Sequence, residues 1–396
     1  MKGFAANDRQ LALLLVAVGI MGVMGGLYET TFNNYLDAVF GIGAERRGAL
    51  EFPREMPGFL VTLVAGSLAG LALNRVGSVA MGLAAAGLVG LALAPGRFGV
   101  MAVFMVVYST GAHLNMPTTD SMTLALATKG RQATRLEQVG AAGIFGGIVG
   151  AGFVALATKR GWVSFSGVYL VAAGCAALAG WVVLSMGKVE GHNQPRRKVF
   201  VFKKRYGLYY TLCALYGARK QVFMTFGPWV IIKIFAQQAY VIAYLWMAYS
   251  ILGLFVRPLV GRLIDKWGEK RMLVAEGMIL AVVCVTYAVA GKSPSSKGAL
   301  FAVMAVYVVD QMTFAVTMAR TTYLSKIVER PEDLPAGLAS GVSIDHMVSM
   351  TLPILGGIVW AKRGFEWVFL GAAVVALASS AVSMTIRTPP RTQASA

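Results

Sequence analysis

Long apolar runs separated by short polar breaks recur along the whole chain, and nearly all approach the ~20 residues an α-helix needs to cross about 30 Å of hydrocarbon. Twelve runs can be placed, with approximate cores at 11–37, 55–74, 79–95, 99–121, 137–157, 165–186, 207–233, 239–261, 271–291, 299–325, 336–360 and 366–386. One break is long. Residues 187–206 are polar and basic, and they separate six runs within 1–186 from six within 207–396. The pattern predicts an all-α membrane protein with twelve transmembrane helices in two six-helix bundles, joined by a central loop.

The two halves repeat one another. Gly70-Leu71-Ala72-Leu73-Asn74-Arg75-Val76-Gly77 follows the second run, and Gly261-Arg262-Leu263-Ile264-Asp265-Lys266-Trp267-Gly268 follows the eighth, 191 residues later. Gly146-Gly147-Ile148-Val149 is matched by Gly356-Gly357-Ile358-Val359, and Lys159-Arg160-Gly161-Trp162 by Lys362-Arg363-Gly364-Phe365. Matches falling in one order indicate an internal duplication of six helices, with the bundles related as parallel repeats.

Composition agrees with a lipid solvent. Hydrophobic residues make up 57% and charged residues 14%, against about 45–50% and 25% in soluble domains. The 46 glycines lie largely inside apolar runs, which suits close helix packing. A net charge of +18 raises nucleic acid as a partner, but the cations concentrate in alternate loops, and seven of them fall between Lys188 and Arg205. That is the positive-inside bias of a membrane protein, so no nucleic-acid partner is expected. It places the central loop and both termini on the cytoplasmic side of a bacterial inner membrane. The first run, which follows Lys2 and Arg9 and lacks a small-residue cleavage site, reads as the first span.

Several chemistries are not called for. Cys175, Cys213 and Cys284 are isolated in separate apolar runs and read as structural thiols. The glycines from Gly140 to Gly152 follow no strand and carry no GK[ST], so they form no phosphate loop. No metal or cofactor is expected, because the acids and imidazoles are scattered over different helices. No catalytic constellation is present, which argues against an enzyme.

At Gly261-Arg262-Leu263-Ile264-Asp265-Lys266-Trp267-Gly268-Glu269-Lys270-Arg271 the chain resembles the major facilitator superfamily, whose signature runs Gly, three residues, Asp, a basic residue, any residue, Gly, any residue and two basic residues. The first-half copy departs from it, with Asn74 in the acid's place and Ser78-Val79-Ala80 lacking the basic pair. The resemblance covers essentially the whole chain and implies secondary transport by alternating access. It also implies that the loops holding Asn74, Arg75, Gly261, Asp265, Lys266, Gly268, Lys270 and Arg271 gate the cycle. A carboxylate at a helix end is suited to such a latch, because it can accept from the amides at a neighbouring helix N-terminus.

Ionisable groups within spans are costly unless paired or wetted, so each is a functional candidate. Glu29, Asn33 and Asp37 recur every four residues and share one face of the first helix, with Tyr28 beside them. The seventh helix carries Arg219, Lys220 and Gln221 one turn from Tyr216. Lys220 is the repeat equivalent of Glu29, 191 residues on, so an acid and a base are expected to face one cavity. Two readings stand: a structural ion pair, or a cationic site for an anionic solute with Glu29 as the coupling acid. The fourth helix offers His113, Asn115 and Asp120. The tenth offers Asp310, Thr313, Thr317 and Arg320. The eleventh offers Asp345 and His346, then Ser349 and Pro353. Solute binding is assigned to Tyr28, Glu29, Asn33, His113, Asn115, Tyr216, Arg219, Lys220, Gln221, Asp310 and His346, and proton coupling to Glu29, Asp120, Asp310, Asp345 and His346. The expected protein is a monomeric, proton-coupled secondary transporter of a small solute in contact with membrane lipid. Its alternatives are a multidrug or metabolite efflux protein of the same fold and a non-transporting sensor or scaffold.

Overall fold

The computed structural model describes residues 2–64, 71–128, 130–190, 200–330 and 332–387. Helices follow the apolar runs. They are α1 (Lys2–Phe40), α2 (Ala44–Ala49), α3 (Glu51–Val64), α4 (Leu73–Leu93), α5 (Phe98–Leu126), α6 (Gln132–Lys159), α7 (Phe165–Ser185), α8 (Gly207–Lys233), α9 (Ala239–Ala290), α10 (Lys297–Thr313), α11 (Thr317–Ile327), α12 (Asp333–Arg363) and α13 (Phe365–Met384). Among the described residues, nine are long and apolar enough to cross a membrane. In lipid the backbone must satisfy its own N–H and C=O groups, which is why the described parts of the runs are helical.

Three details differ from the run pattern. The eighth and ninth runs share α9, whose 52 residues would extend about 78 Å if straight. Gly268, at φ +80°, interrupts it in a conformation that side chains with a Cβ rarely adopt. The polar break at 262–270 is therefore a kink between two crossings, with no extended loop. The tenth run is divided into α10 and α11 by a tight turn, Phe314–Val316. The short α2 was not signalled at all, because AERRGA is polar and too short for periodicity to register.

The described chain forms two compact units. Unit 1 contains Met1–Ile42, Pro53–Pro195 and Ala236–Ser250, and unit 2 contains Gly43–Phe52, Arg196–Phe235 and Ile251–Ala396. In unit 1, α1 packs on α6 and α7, and α4 packs on α5 and α7. In unit 2, α12 and α13 pack on α8, and α12 also holds α2. The middle of the basic cluster expected at 188–205, with Arg196, Arg197 and Lys198, lies outside the described residues, as does Gly70.

Glycine sets the α1–α6 spacing. A Cβ on Gly22 would collide with the Gly143 carbonyl, one on Gly26 with that of Gly147, one on Gly146 with that of Gly19, and one on Gly150 with that of Val23. The backbones meet directly, and dispersion across that seam takes the place of hydrophobic drive, which lipid does not supply between helices. Gly146→Val should destabilise unit 1 by ~1–3 kcal/mol through overpacking. Gly174→Val, at a position with nothing within 4 Å of its Cβ, should be near neutral. Thermal unfolding in detergent compares them.

Candidate functional site

Ionisable side chains gather inside unit 2, around the middle of α8. Tyr216, Arg219 and Lys220 fall three and four residues apart, so the helix brings them to one side. Arg219 is buried at 3% exposure. Its Nη1 donates to Asp310 Oδ1 on α10 at 2.8 Å, and its Nη2 to Glu276 Oε1 on α9 at 3.3 Å. Glu276 uses its second oxygen to accept from Arg320 Nη1 on α11 at 2.9 Å, and Arg320 Nη2 donates to Thr317 Oγ1 at 2.9 Å. Asp310 Oδ2 accepts from Gln311 Nε2 at 3.1 Å. Two guanidiniums and two carboxylates thus cancel in charge while buried, the condition under which such groups are tolerated away from water.

Aromatic faces complete the quartet. The Arg320 guanidinium lies 3.9 Å from the Tyr216 ring centroid, and that of Arg219 lies 5.3 Å from it and 4.9 Å from Phe314. Phe314 reaches this position from the tight turn between α10 and α11. A tight turn inside a longer helical run of this kind often marks a hinge or a strained sequence.

A second pair lies nearer the surface. Lys220 Nζ donates to Asp345 Oδ2 on α12 at 2.6 Å, with side chains 13% and 15% exposed. Ser349 Oγ donates to Asp345 Oδ1 at 3.4 Å. Gly217 permits this approach, because a Cβ there would meet the Asp345 backbone and carboxylate. His346 is half-buried beside Asp345. Gln221 Nε2 donates to Glu51 Oε2 at 2.6 Å, and buried Arg47 pairs with the same carboxylate. Gln221 Oε1 has no hydrogen-bond partner among the described residues.

Unit 1 carries the remaining candidates. Glu29 is exposed on α1, while Asn33 and Asp37 on the following turns are half-buried. Tyr28 is buried and stacked, its ring centroid 4.9 Å from Phe32 and 4.0 Å from Tyr108. His113 Nδ1 lies 3.0 Å from Ser109 Oγ and 2.9 Å from Ser109 O. Asn115 accepts from Thr119 Oγ1 at 3.3 Å and places Nδ2 3.3 Å from Met21 Sδ. Asp120 is exposed on α5.

The loop residues divide by unit. Asn74 is buried, donating from Nδ2 to Met186 O at 3.2 Å and accepting at Oδ1 from Val189 N at 3.5 Å. It ties the start of α4 to the chain leaving α7, beside an antiparallel bridge between Ala72 and Glu190. Arg75, Asp265, Lys266, Lys270 and Arg271 are exposed, and Gly261 and Gly268 are half-exposed. Glu269, singled out by no sequence feature, is buried and paired with Lys326 at 2.5 Å.

The family model described as Major Facilitator Superfamily matches residues 56–344. The chain belongs to this superfamily. Solved structures agree in fold across nearly the whole length. The nucleoside transporter NupG superposes with a TM-score of 0.76 at 14% identity, covering 95% of this chain and 98% of that one. A bacterial homologue of the human lysosomal transporter Spinster, inward-facing and occupied, gives 0.71 at 12% identity over 95% and 96%. The human organic anion transporter MFSD10 (TETRAN) gives 0.62 at 10% identity over 95% and 99%. No curated protein matches the sequence. At these identities the likeness concerns the fold of Major Facilitator transporters, and the site must be argued from its own residues.

Glu276, Glu51 and Arg47 carried no sequence signal: Glu276 lies near the start of the ninth run, and Arg47 and Glu51 fall in the polar break between the first two runs, where a charge passes for an interfacial residue. Glu276→Gln in this Major Facilitator chain should cost ~3–5 kcal/mol, because Arg219 and Arg320 lose their shared counter-charge while still buried. Glu276→Met combined with Arg320→Met should recover much of that loss. Denaturant unfolding followed by circular dichroism measures both.

Proposed function

We propose that the protein is a proton-coupled secondary transporter of a small anionic solute, working by alternating access in a bacterial inner membrane with both termini cytoplasmic. The observation that carries the proposal is the set of six ionisable residues within the membrane helices of unit 2, matched three against three. Arg219, Lys220 and Arg320 face Glu276, Asp310 and Asp345. A scaffold or sensor has no need to tolerate their cost. An exposed Glu29 on an apolar helix argues in the same direction, since a carboxylate at such a depth needs a wetted cavity.

Charge balance ties solute to proton in this reading. An anion reaching Lys220 meets a cation already neutralised by Asp345. Protonation of Asp345, with His346 next to it, releases the ammonium and leaves the loaded site without surplus charge. Lys220 and Asp345 serve this step better than Arg219 and Asp310, because they are several times more exposed. The buried quartet then holds α8, α9, α10 and α11 in register around them. Asp265, Lys266, Lys270 and Arg271 act as the gate of the second half.

A thermal-shift panel of organic anions, sugars, amino acids and lipophilic cations on the purified protein tests the reading. An anion at a hundred times its Kd should add about 2.7 kcal/mol of stability, with tighter binding at lower pH. Asp345→Asn should keep anion binding and lose its pH dependence, and Lys220→Met should lose binding. Stabilisation by neutral or cationic solutes alone would refute the anionic assignment.

A further inference from the structure

At one end of unit 2 three segments are clasped together. Lys203 Nζ reaches Glu329 at 2.8 Å and Asp333 at 2.6 Å, and Tyr206 OH donates to Asp333 at 2.8 Å. Arg205 Nε donates to the Ile327 carbonyl at 3.2 Å, and Lys326 pairs with Glu269. Residues 200–206, 326–333 and the signature turn at 261–271 therefore share one surface, over a common core that includes Val201, Tyr206, Ile264, Met272 and Ile327.

This surface holds more cations than its acids neutralise. The three segments contain nine Lys and Arg against five Asp and Glu. Three of the five acids are already engaged, Glu269 by Lys326 and both Glu329 and Asp333 by Lys203. The hydrogen bond from Lys203 holds the Glu329 carboxyl below its ordinary range, so it stays ionised and engaged at neutral pH. Lys204, Arg262, Lys266, Lys270 and Arg271 face outward.

Two large aromatic side chains are exposed among these cations, Phe202 at 67% and Trp267 at 46%. Phe202 is supported from behind, with ring centroids 6.2 Å from Phe200 and 5.5 Å from Tyr210. Residue 207 opens α8, and Gly268 lies between the two crossings of α9, so both aromatics stand where membrane helices leave the hydrocarbon. Aromatic rings favour that boundary, and Lys and Arg beside it meet lipid phosphates.

We propose that this surface docks anionic phospholipid: Phe202 and Trp267 enter the headgroup boundary while Lys204, Lys266 and Lys270 hold the phosphates. The inference does not depend on which solute the protein carries. Because Lys266 and Lys270 flank the Gly268 kink, a bound headgroup restrains the turn between the two crossings of α9.

The test uses the full chain in uncharged maltoside micelles, titrated with phosphatidylglycerol or phosphatidylcholine and read by native mass spectrometry. Phosphatidylglycerol should be retained in preference. Lys204→Gln with Lys270→Gln should weaken it about thirty-fold, two cations at ~1 kcal/mol each converted at about 1.4 kcal/mol per tenfold. Lys292→Gln with Lys297→Gln, an equal charge change at exposed positions of the α9–α10 connection, should leave retention unchanged, and lipid-free melting curves check that both variants fold. Equal retention of the two lipids, an equal loss in the control, or full competition by soluble glycerol phosphate would each overturn the proposal.

Discussion

An ionised side chain held away from water needs an opposite charge within hydrogen-bond reach, and unit 2 is organised by that requirement. Arg219 cannot be neutralised by losing its proton, so Asp310 and Glu276 must come to it, from α10 and α9. Glu276 draws in Arg320 from α11, and the four charges close on themselves. Lys220 is subject to the same demand at a wetter position and meets it with Asp345 from α12. The helices of unit 2 that carry these groups are thereby fixed in rotation as well as in position. Apolar packing alone would fix rotation weakly, since lipid is as apolar as the side chains that face it.

Unit 1 adds a constraint of another kind: backbone contact through Gly22, Gly26, Gly146 and Gly150 defines the α1–α6 seam. Shape sets the rotation at that seam. Paired motifs such as Gly146-Gly147 and Gly356-Gly357 nevertheless do not imply paired roles at every position. A Cβ on Gly146 would meet a backbone carbonyl, whereas one on Gly356 would meet the Phe226 ring.

Much of the fold was legible in the sequence because lipid permits few solutions. Among the described residues the apolar runs fall on helices, and the signature at Gly261–Arg271 pointed to the superfamily that the family match shows. The pairing of charges was not legible. In a soluble helix an apolar stripe reveals which side faces the core, but a span that is apolar on every side gives no such phase, so the partner of Arg219 could not be read from periodicity. The duplication offset marked Lys220 and Glu29 as equivalent positions, and it carried no information about Asp345, which lies within reach in Lys220's own unit. Gly268 misled in a different way, since a glycine-marked polar stretch reads as a loop although only one residue leaves the helix.

Asn74 gives the segment between the halves a definite architecture at its beginning. The Ala72–Glu190 bridge and the Asn74 amide fasten the chain as it leaves α7, and the Lys203 clasp fastens it again before α8, each within its own unit. A tag or protease site placed inside either fastening would have to displace a hydrogen bond that the chain already makes there.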